Sequence, residues 1–185
     1  DTVLKREKYR LYEKAMNEVI SNFLYLGGKA VAQDIEALRA RGITHIINCG
    51  TIVKEIFAHN FKYLALAIPD DGHVCDLSWG LHYRSFDFIE DAWEHGGRVL
   101  IHCASGVSRS CAFAIAYLMW RQQKIKTSLF SGATQYSHNL ALVKLVRPIC
   151  DPNAAFETQL TVWAERRQTI SQHLFCGLFR AAYMP

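Results

Sequence analysis

Along the chain, short apolar runs closed by glycine or proline alternate with stretches whose apolar residues recur every three or four positions. FLYLG (Phe23 to Gly27) reads as a strand ended by Gly27-Gly28, and AQDIEALRARG as a helix with Ile35 and Leu38 on one face, stopping at Gly42. ITHIINC, rich in β-branched residues, is a second strand, ending at Gly50, and FKYLALAI is a third, closed by Pro69. DDGHVCDLS after it is a loop by its Asp and Gly content. YRSFDFIEDAWEHGG aligns Phe86, Ile89 and Trp93 before a double glycine and reads as a helix. RVLIH has the unbroken apolar centre of a strand buried on both faces. Helices are expected over Arg109 to Gln123, about Ala141 to Val146, and Asn153 to about Arg167. Alternation of this kind predicts an α/β fold, a central and mostly parallel twisted sheet with helices on both faces. Ligands of such sheets sit beyond the carboxyl ends of the strands, where the segment after His102 lies.

Composition narrows the class. A length of 185 residues suits one domain, residues 1–185. Half the residues are apolar and 21% charged, ordinary globular usage that argues against disorder and fibrous repeats. The longest apolar run, Cys111 to Trp120, is half of what a membrane span needs, and DTVLKREKYR at the start has no export-signal character. The six cysteines are scattered without paired spacing, so free thiols in a reducing compartment, cytoplasmic or also nuclear, are expected. The same scatter, and eight histidines without a ligand pair at helical spacing, predict no metal. A net charge of +4 favours an anionic substrate, but no dense basic stripe points to nucleic acid.

The candidate chemistry lies in HCASGVSRS, His102 to Ser110. A loop from a strand end to a helix start presents successive backbone N–H groups, and the helix adds the positive end of its dipole. Cys103 at the start of this loop is a thiolate candidate, because such placements lower thiol pKa values. Ala104, Ser105, Gly106, Val107 and Ser108 form the phosphate-binding backbone, with Gly106 free to turn sharply. Arg109 offers a planar fork that fits two phosphoryl oxygens. Ser110 can donate to the sulfur and help it depart, and His102 can brace the loop. A lone cysteine is usually a small buried hydrophobe. Gly three residues on, Arg six on and the strand and helix flanks favour the nucleophile instead.

These residues match the H-C-x-x-G-x-x-R-[ST] signature, and the chain thereby resembles the cysteine-dependent protein tyrosine phosphatases. Ser108-Arg109-Ser110 followed by AYLM is similar to the dual-specificity branch, in its small single-domain form. ISNFLYLGG, GITHIINC and RPICDPNAAFETQL resemble further segments of that branch, so the likeness runs from about Val19 to Trp163. No K-N-R-Y loop deepens the pocket for phosphotyrosine. The resemblance implies hydrolysis of phosphotyrosine, phosphoserine and phosphothreonine in proteins through a cysteinyl-phosphate, without metal or cofactor. One departure is LFSGATQYSHNL (Leu129 to Leu140), which stands where relatives pass almost directly into the next helix; it reads as an inserted loop or helix extension.

Such a reaction needs an acid for the leaving oxygen and then a base for water. Asp70, Asp71 and Asp76 are the candidates. Asp71, Asp76 and Leu77 satisfy the D-x-x-x-x-D-[LI] pattern of the resemblance, which favours Asp71 over Asp70 and leaves Asp76 as a helix cap. Asn48 either braces the phosphate loop, as its counterpart does in the family, or ends its strand. Cys49 is either a redox partner of Cys103, as in some relatives, or a buried strand-end thiol. The tail, residues 168–185, lines up Ile170, Leu174 and Leu178, a stripe for self-packing or for a partner or membrane surface. The alternatives to a protein substrate are a phosphoinositide, an RNA 5′ end or a glucan. A third reading is an inactive phosphoprotein-binding module, disfavoured because nucleophile, arginine and an acid candidate are all present. The oligomeric state is not legible.

Overall fold

The computed structural model describes residues 2–51, 56–70, 81–124 and 132–166. The expected strands are there, β2 (Leu24–Gly27), β3 (His45–Asn48), β4 (Lys62–Ala65) and β5 (Val99–His102); helices separate β2 from β3 and β4 from β5, whereas β3 and β4 have no helix between them among the described residues. Two elements at the N-terminus were not anticipated, α1 (Thr2–Tyr12) and β1 (Asn17–Ile20). The sheet order is β1-β2-β5-β3-β4. β2, β5, β3 and β4 run parallel, whereas β1 pairs antiparallel with β2. A tight turn makes that hairpin: Asn22 takes φ 53°, a left-handed conformation that asparagine tolerates better than most residues.

The side-chain period of two divides the core. Leu24, Leu26, Ile47, Val99 and Ile101 point to one face, and Tyr25, Ile46 and Leu100 to the other. The first face packs against α4 (Leu81–Glu94) through Phe86 and Ile89, and against α5 (Arg109–Lys124), buried from Cys111 to Tyr117. The second is covered by α2 (Lys29–Ala32) and α3 (Ile35–Ala40) through Ala32 and Leu38. The sequence pattern predicts one helix there. It is two because the Asp34 side chain accepts from Ala37 N (3.0 Å), and this cap starts a new helix.

α6 spans Gly132–Val146, so from residue 132 onward the inserted segment is a helix extension. Its polar composition hid that helix. Gln135 and Asn139 are buried, Gln135 donating to Met119 O (3.2 Å) and Asn139 exchanging two 3.0 Å hydrogen bonds with Gln122 of α5. Polar residues with such partners belong to a core as fully as leucines do. The last helix, α7 (154–166), is capped by Asn153, whose Oδ1 accepts from Phe156 N (3.0 Å). The tail from 168 lies outside the described residues. No helix among the described residues is long and apolar enough to cross a membrane.

Register places the chemistry. Gly27 of β2 and Asn48 of β3 both stand level with His102 of β5. Three strands therefore release their chains at one edge of the sheet, and the segments after Gly27, Asn48 and His102 meet there. Phe156, fully buried where α7 enters this core, tests the packing. Phe156→Ala is expected to cost about 3–5 kcal/mol, read as a lower urea midpoint with an unchanged slope.

Candidate active site

Between the end of β5 and the start of α5, residues 103–108 form a loop whose carbonyl groups are held from behind, one after another. Ala104 O accepts from Lys29 N (2.9 Å), at the start of α2. Ser105 O and Gly106 O accept from the Arg147 guanidinium at 3.1 and 2.6 Å. Val107 O accepts from Asp151 N (2.8 Å), and Ser108 O from Ala112 N (2.9 Å) inside α5. Across a trans peptide the N–H of the next residue points opposite to the C=O. With the carbonyls drawn into the protein, the amides of 105 to 108 face the other side. They form a nest for an anion, completed by the N-terminus of α5. Gly106 N donates to Cys103 Sγ (3.2 Å), which holds the sulfur against that nest.

Gly106 is needed twice over. Its φ of +70° lies in the left-handed region, and a Cβ there would come within 2.5 Å of both Gly27 O and Arg147 Nη2. Gly28 is the other close approach, since a Cβ there would stand 3.1 Å from the Ser105 backbone.

The remaining side chains converge on the same point. Ser110 Oγ is 3.3 Å from Cys103 Sγ, close enough to stabilise sulfur as a departing thiolate. Arg109, largely buried, donates from Nη1 to Ile68 O (3.2 Å) and faces Asp70 Oδ2 from Nε at 3.4 Å. Asp71 and Asp76 lie outside the described residues, so Asp70 is the acid candidate whose place is visible: beside the arginine. His102 is buried at the strand end, and burial lowers its pKa to about 4 although the Cys103 backbone partly opposes the shift. A neutral imidazole beneath the loop carries no second proton near pH 7, and its buried Nδ1 makes no hydrogen bond among the described residues. Asn48 Oδ1 accepts from Gly50 N (2.9 Å), closing its own strand end at the same edge. Cys49 hangs on that edge through Cys49 N to His102 O (2.8 Å), and burial pushes its thiol pKa well up. Cys111 does not point away from the loop, as a position on the following helix would suggest; its thiol donates to Gly106 O (3.5 Å). Beside the loop, Tyr9 and Arg10 of α1 and Glu13 just after it face Ala104 and Ser105 across a groove of about 230 Å³. Among the described residues, no cluster of three or more His, Cys, Asp or Glu is arranged to hold a metal ion.

A thiol in an anion nest, a forked cation at the lip and a hydroxyl to release the sulfur can together carry phosphoryl transfer. The family model described as "Dual specificity phosphatase, catalytic domain" matches residues 24–166. This chain belongs to the dual specificity phosphatase family. It is 42% identical over 157 residues to protein-tyrosine-phosphatase MKP1 of Arabidopsis thaliana, covering 84% of this chain and 18% of that protein. It is 36% identical over 145 residues to mouse dual specificity protein phosphatase 19, covering 78% of this chain and 60% of that one. The chain thus spans less than two thirds of either curated relative. The crystal structure of the human tyrosine phosphatase-like serine/threonine/tyrosine-interacting protein superposes with a TM-score of 0.69 at 30% identity. That match covers 86% of this chain and 99% of that one.

Arg147 is the residue of this dual specificity phosphatase site that sequence reasoning passed over. A signal was available, because the arginine stands between the apolar pairs Leu145-Val146 and Pro148-Ile149. Cys150 was another: buried, it exchanges a side-chain contact with Cys111 behind the loop.

The His102 shift has a measurable sign. Its ordinary pKa of 6.5 falls to about 4 in the fold, so between these values the unfolded chain binds the extra proton. The stability it contributes is complete above about pH 6.5 and is lost as pH falls through 4, about 3 kcal/mol in all. Melting temperatures from pH 7 to 4.5 are expected to fall more steeply for the parent than for His102→Asn. Parallel curves would contradict a neutral buried imidazole.

Proposed function

We propose that the protein is a phosphomonoester hydrolase acting on phosphotyrosine, phosphoserine and phosphothreonine of proteins. The observation that carries this reading is Cys103 Sγ held by the Gly106 amide and beside Ser110 Oγ, with Arg109 at the end of the same loop facing Asp70. In the first step the Cys103 thiolate attacks phosphorus, the bond to the substrate oxygen breaks, and that oxygen takes a proton from Asp71. In the second, water attacks the cysteinyl-phosphate and gives its proton to Asp71; the S–P bond breaks, Ser110 stabilises the leaving sulfur, and inorganic phosphate departs. Arg109 and the amides of Ser105 to Ser108 hold the charge that builds on the phosphoryl oxygens. Asp70 at 3.4 Å from Arg109 supports a division of labour, Asp70 as the arginine's partner and Asp71 as the acid. The groove along α1 is a place for residues flanking the phosphorylated one.

Turnover of phosphopeptides, phosphoinositides and aryl phosphates is the test. We expect phosphopeptides and aryl phosphates to be hydrolysed, Cys103→Ser to be inactive while still binding phosphate, and Arg109→Lys to be severely impaired. Asp71→Asn should slow ordinary aryl phosphates by about 10² to 10⁴ and spare an activated ester that needs no proton. If Asp70→Asn gives that pattern instead, the acid is Asp70. Phosphopeptide binding without any turnover would turn the reading to a phosphoprotein-binding module, and phosphoinositide turnover alone to a lipid phosphatase.

We also propose Cys49 as the thiol that captures Cys103 after peroxide converts it to a sulfenic acid, forming a disulfide with loss of water. Level placement of the two residues at the sheet edge supports this. Peroxide inactivation should be reversed by dithiothreitol in the parent and largely irreversible in Cys49→Ser; full recovery of that variant would leave Cys49 a structural thiol.

A further inference from the structure

Arg147 follows the end of α6 and is the largest of the fully buried side chains among the described residues. A guanidinium without solvent needs partners for all of its donors. Nε donates to Gly106 O (2.6 Å) and Nη2 to Ser105 O (3.1 Å) and Tyr12 O (3.4 Å). Nη1 donates to Asn17 Oδ1 (2.6 Å) and Ala15 O (3.4 Å). None of these partners is a carboxylate. Burial pulls the guanidinium pKa down, while the sulfurs of Cys111, Cys103 and Cys150 oppose that shift. A buried cation costs several kcal/mol unless something compensates it. A residue needed for packing alone could have been apolar.

Two of its partners belong to the phosphate loop, and the other three to the end of α1, the link after it and the first residue of β1. On the reading of the site given above, we propose that Arg147 is a positioning residue for the phosphoryl transfer. It keeps the Ser105 and Gly106 carbonyls turned inward, so that the amides of Gly106 and Val107 stay aimed at the phosphoryl group, and it ties that loop to α1 and β1. Without the fork, either peptide plane could rotate and present an oxygen to the anion. The fixed positive charge behind the loop acts in the same sense as the amides in front of it. Lysine cannot replace it, because one ammonium does not span two loop carbonyls and Asn17 together.

The test compares the parent with Arg147→Lys, Arg147→Gln and Asn17→Ala, each assayed well below its own melting temperature. Readouts are kcat/KM on an aryl phosphate and the dissociation constant of tungstate, an inert tetrahedral oxyanion, by calorimetry. We expect Arg147→Lys to lose at least tenfold in both, Arg147→Gln to lose more, and Asn17→Ala to lose about two- to fivefold in both. A purely structural role would lower the melting temperature and leave the constants of the folded protein unchanged. Folded Arg147 variants within twofold of the parent on both measures would overturn the proposal. If neither Arg147 variant folds, Asn17→Ala decides: parent-like constants overturn it, and a matched loss in both supports it. A parent that hydrolyses no phosphoester would count against the functional reading instead, and the tungstate constants would still judge Arg147.

Discussion

The site depends on the direction of a few peptide planes. A strand-to-helix loop left to itself would solvate its carbonyls as readily as its amides, and a carbonyl turned to the front would repel the anion the amides attract. Here the five carbonyls of 104 to 108 are engaged from behind by donors on four pieces of chain: α2, Arg147 (which takes two), the segment at Asp151, and α5 itself. The anion site is therefore built less by the loop's own sequence than by the elements that grip its back. Each grip is an ordinary hydrogen bond, worth about 1 kcal/mol net in stability. Its functional weight is larger, because each decides the sign of the field in front.

The rest of the fold can be read as what those grips require. β2, β5 and β3 end level, which brings Lys29 behind the loop on one side and Cys49 against His102 on the other. The approach is so close that glycine is required at 106 and tightly confined at 28. Around the Arg147 guanidinium that already fills the space behind the loop, small side chains fit the remainder. Thiols meet that need without adding a strong competing acceptor, in keeping with buried Cys49, Cys111 and Cys150 lying around the loop. Their environment is set by burial, which raises the Cys49 and Cys111 thiol pKa values.

What could be read from the sequence was what is local in it. Cys103, Gly106, Arg109 and Ser110 sit within one contiguous stretch, and β2 to β5 are apolar runs with clear stops, so the sheet and its ligand edge follow from pattern alone. The parts that escaped reading are those whose meaning lies in a distant partner. Arg147 takes its role from carbonyls 41 and 42 residues away. Gln135 and Asn139 look like loop residues until Met119 and Gln122 are beside them. β1 carries only four partly buried residues, and its antiparallel place follows from a turn at Asn22 rather than from any strong periodicity.

Two arginines serve this loop, and their partners differ in kind. Arg109 at the lip faces a half-exposed carboxylate, Asp70, and one carbonyl. A phosphoryl group can exchange with such a carboxylate, since both offer the same charged oxygens to the same fork. Among the described residues, Arg147 at the back is held by neutral oxygens: the Tyr12 and Ala15 carbonyls, the Asn17 amide side chain and two carbonyls of the loop itself. A carboxylate in that position would satisfy the guanidinium equally well as a structural brace. It would also cancel the charge directly behind the nest and weaken the site in front. Neutral acceptors satisfy the donors and leave the positive field standing, a choice that costs stability and that only a site meant to receive an anion has reason to make.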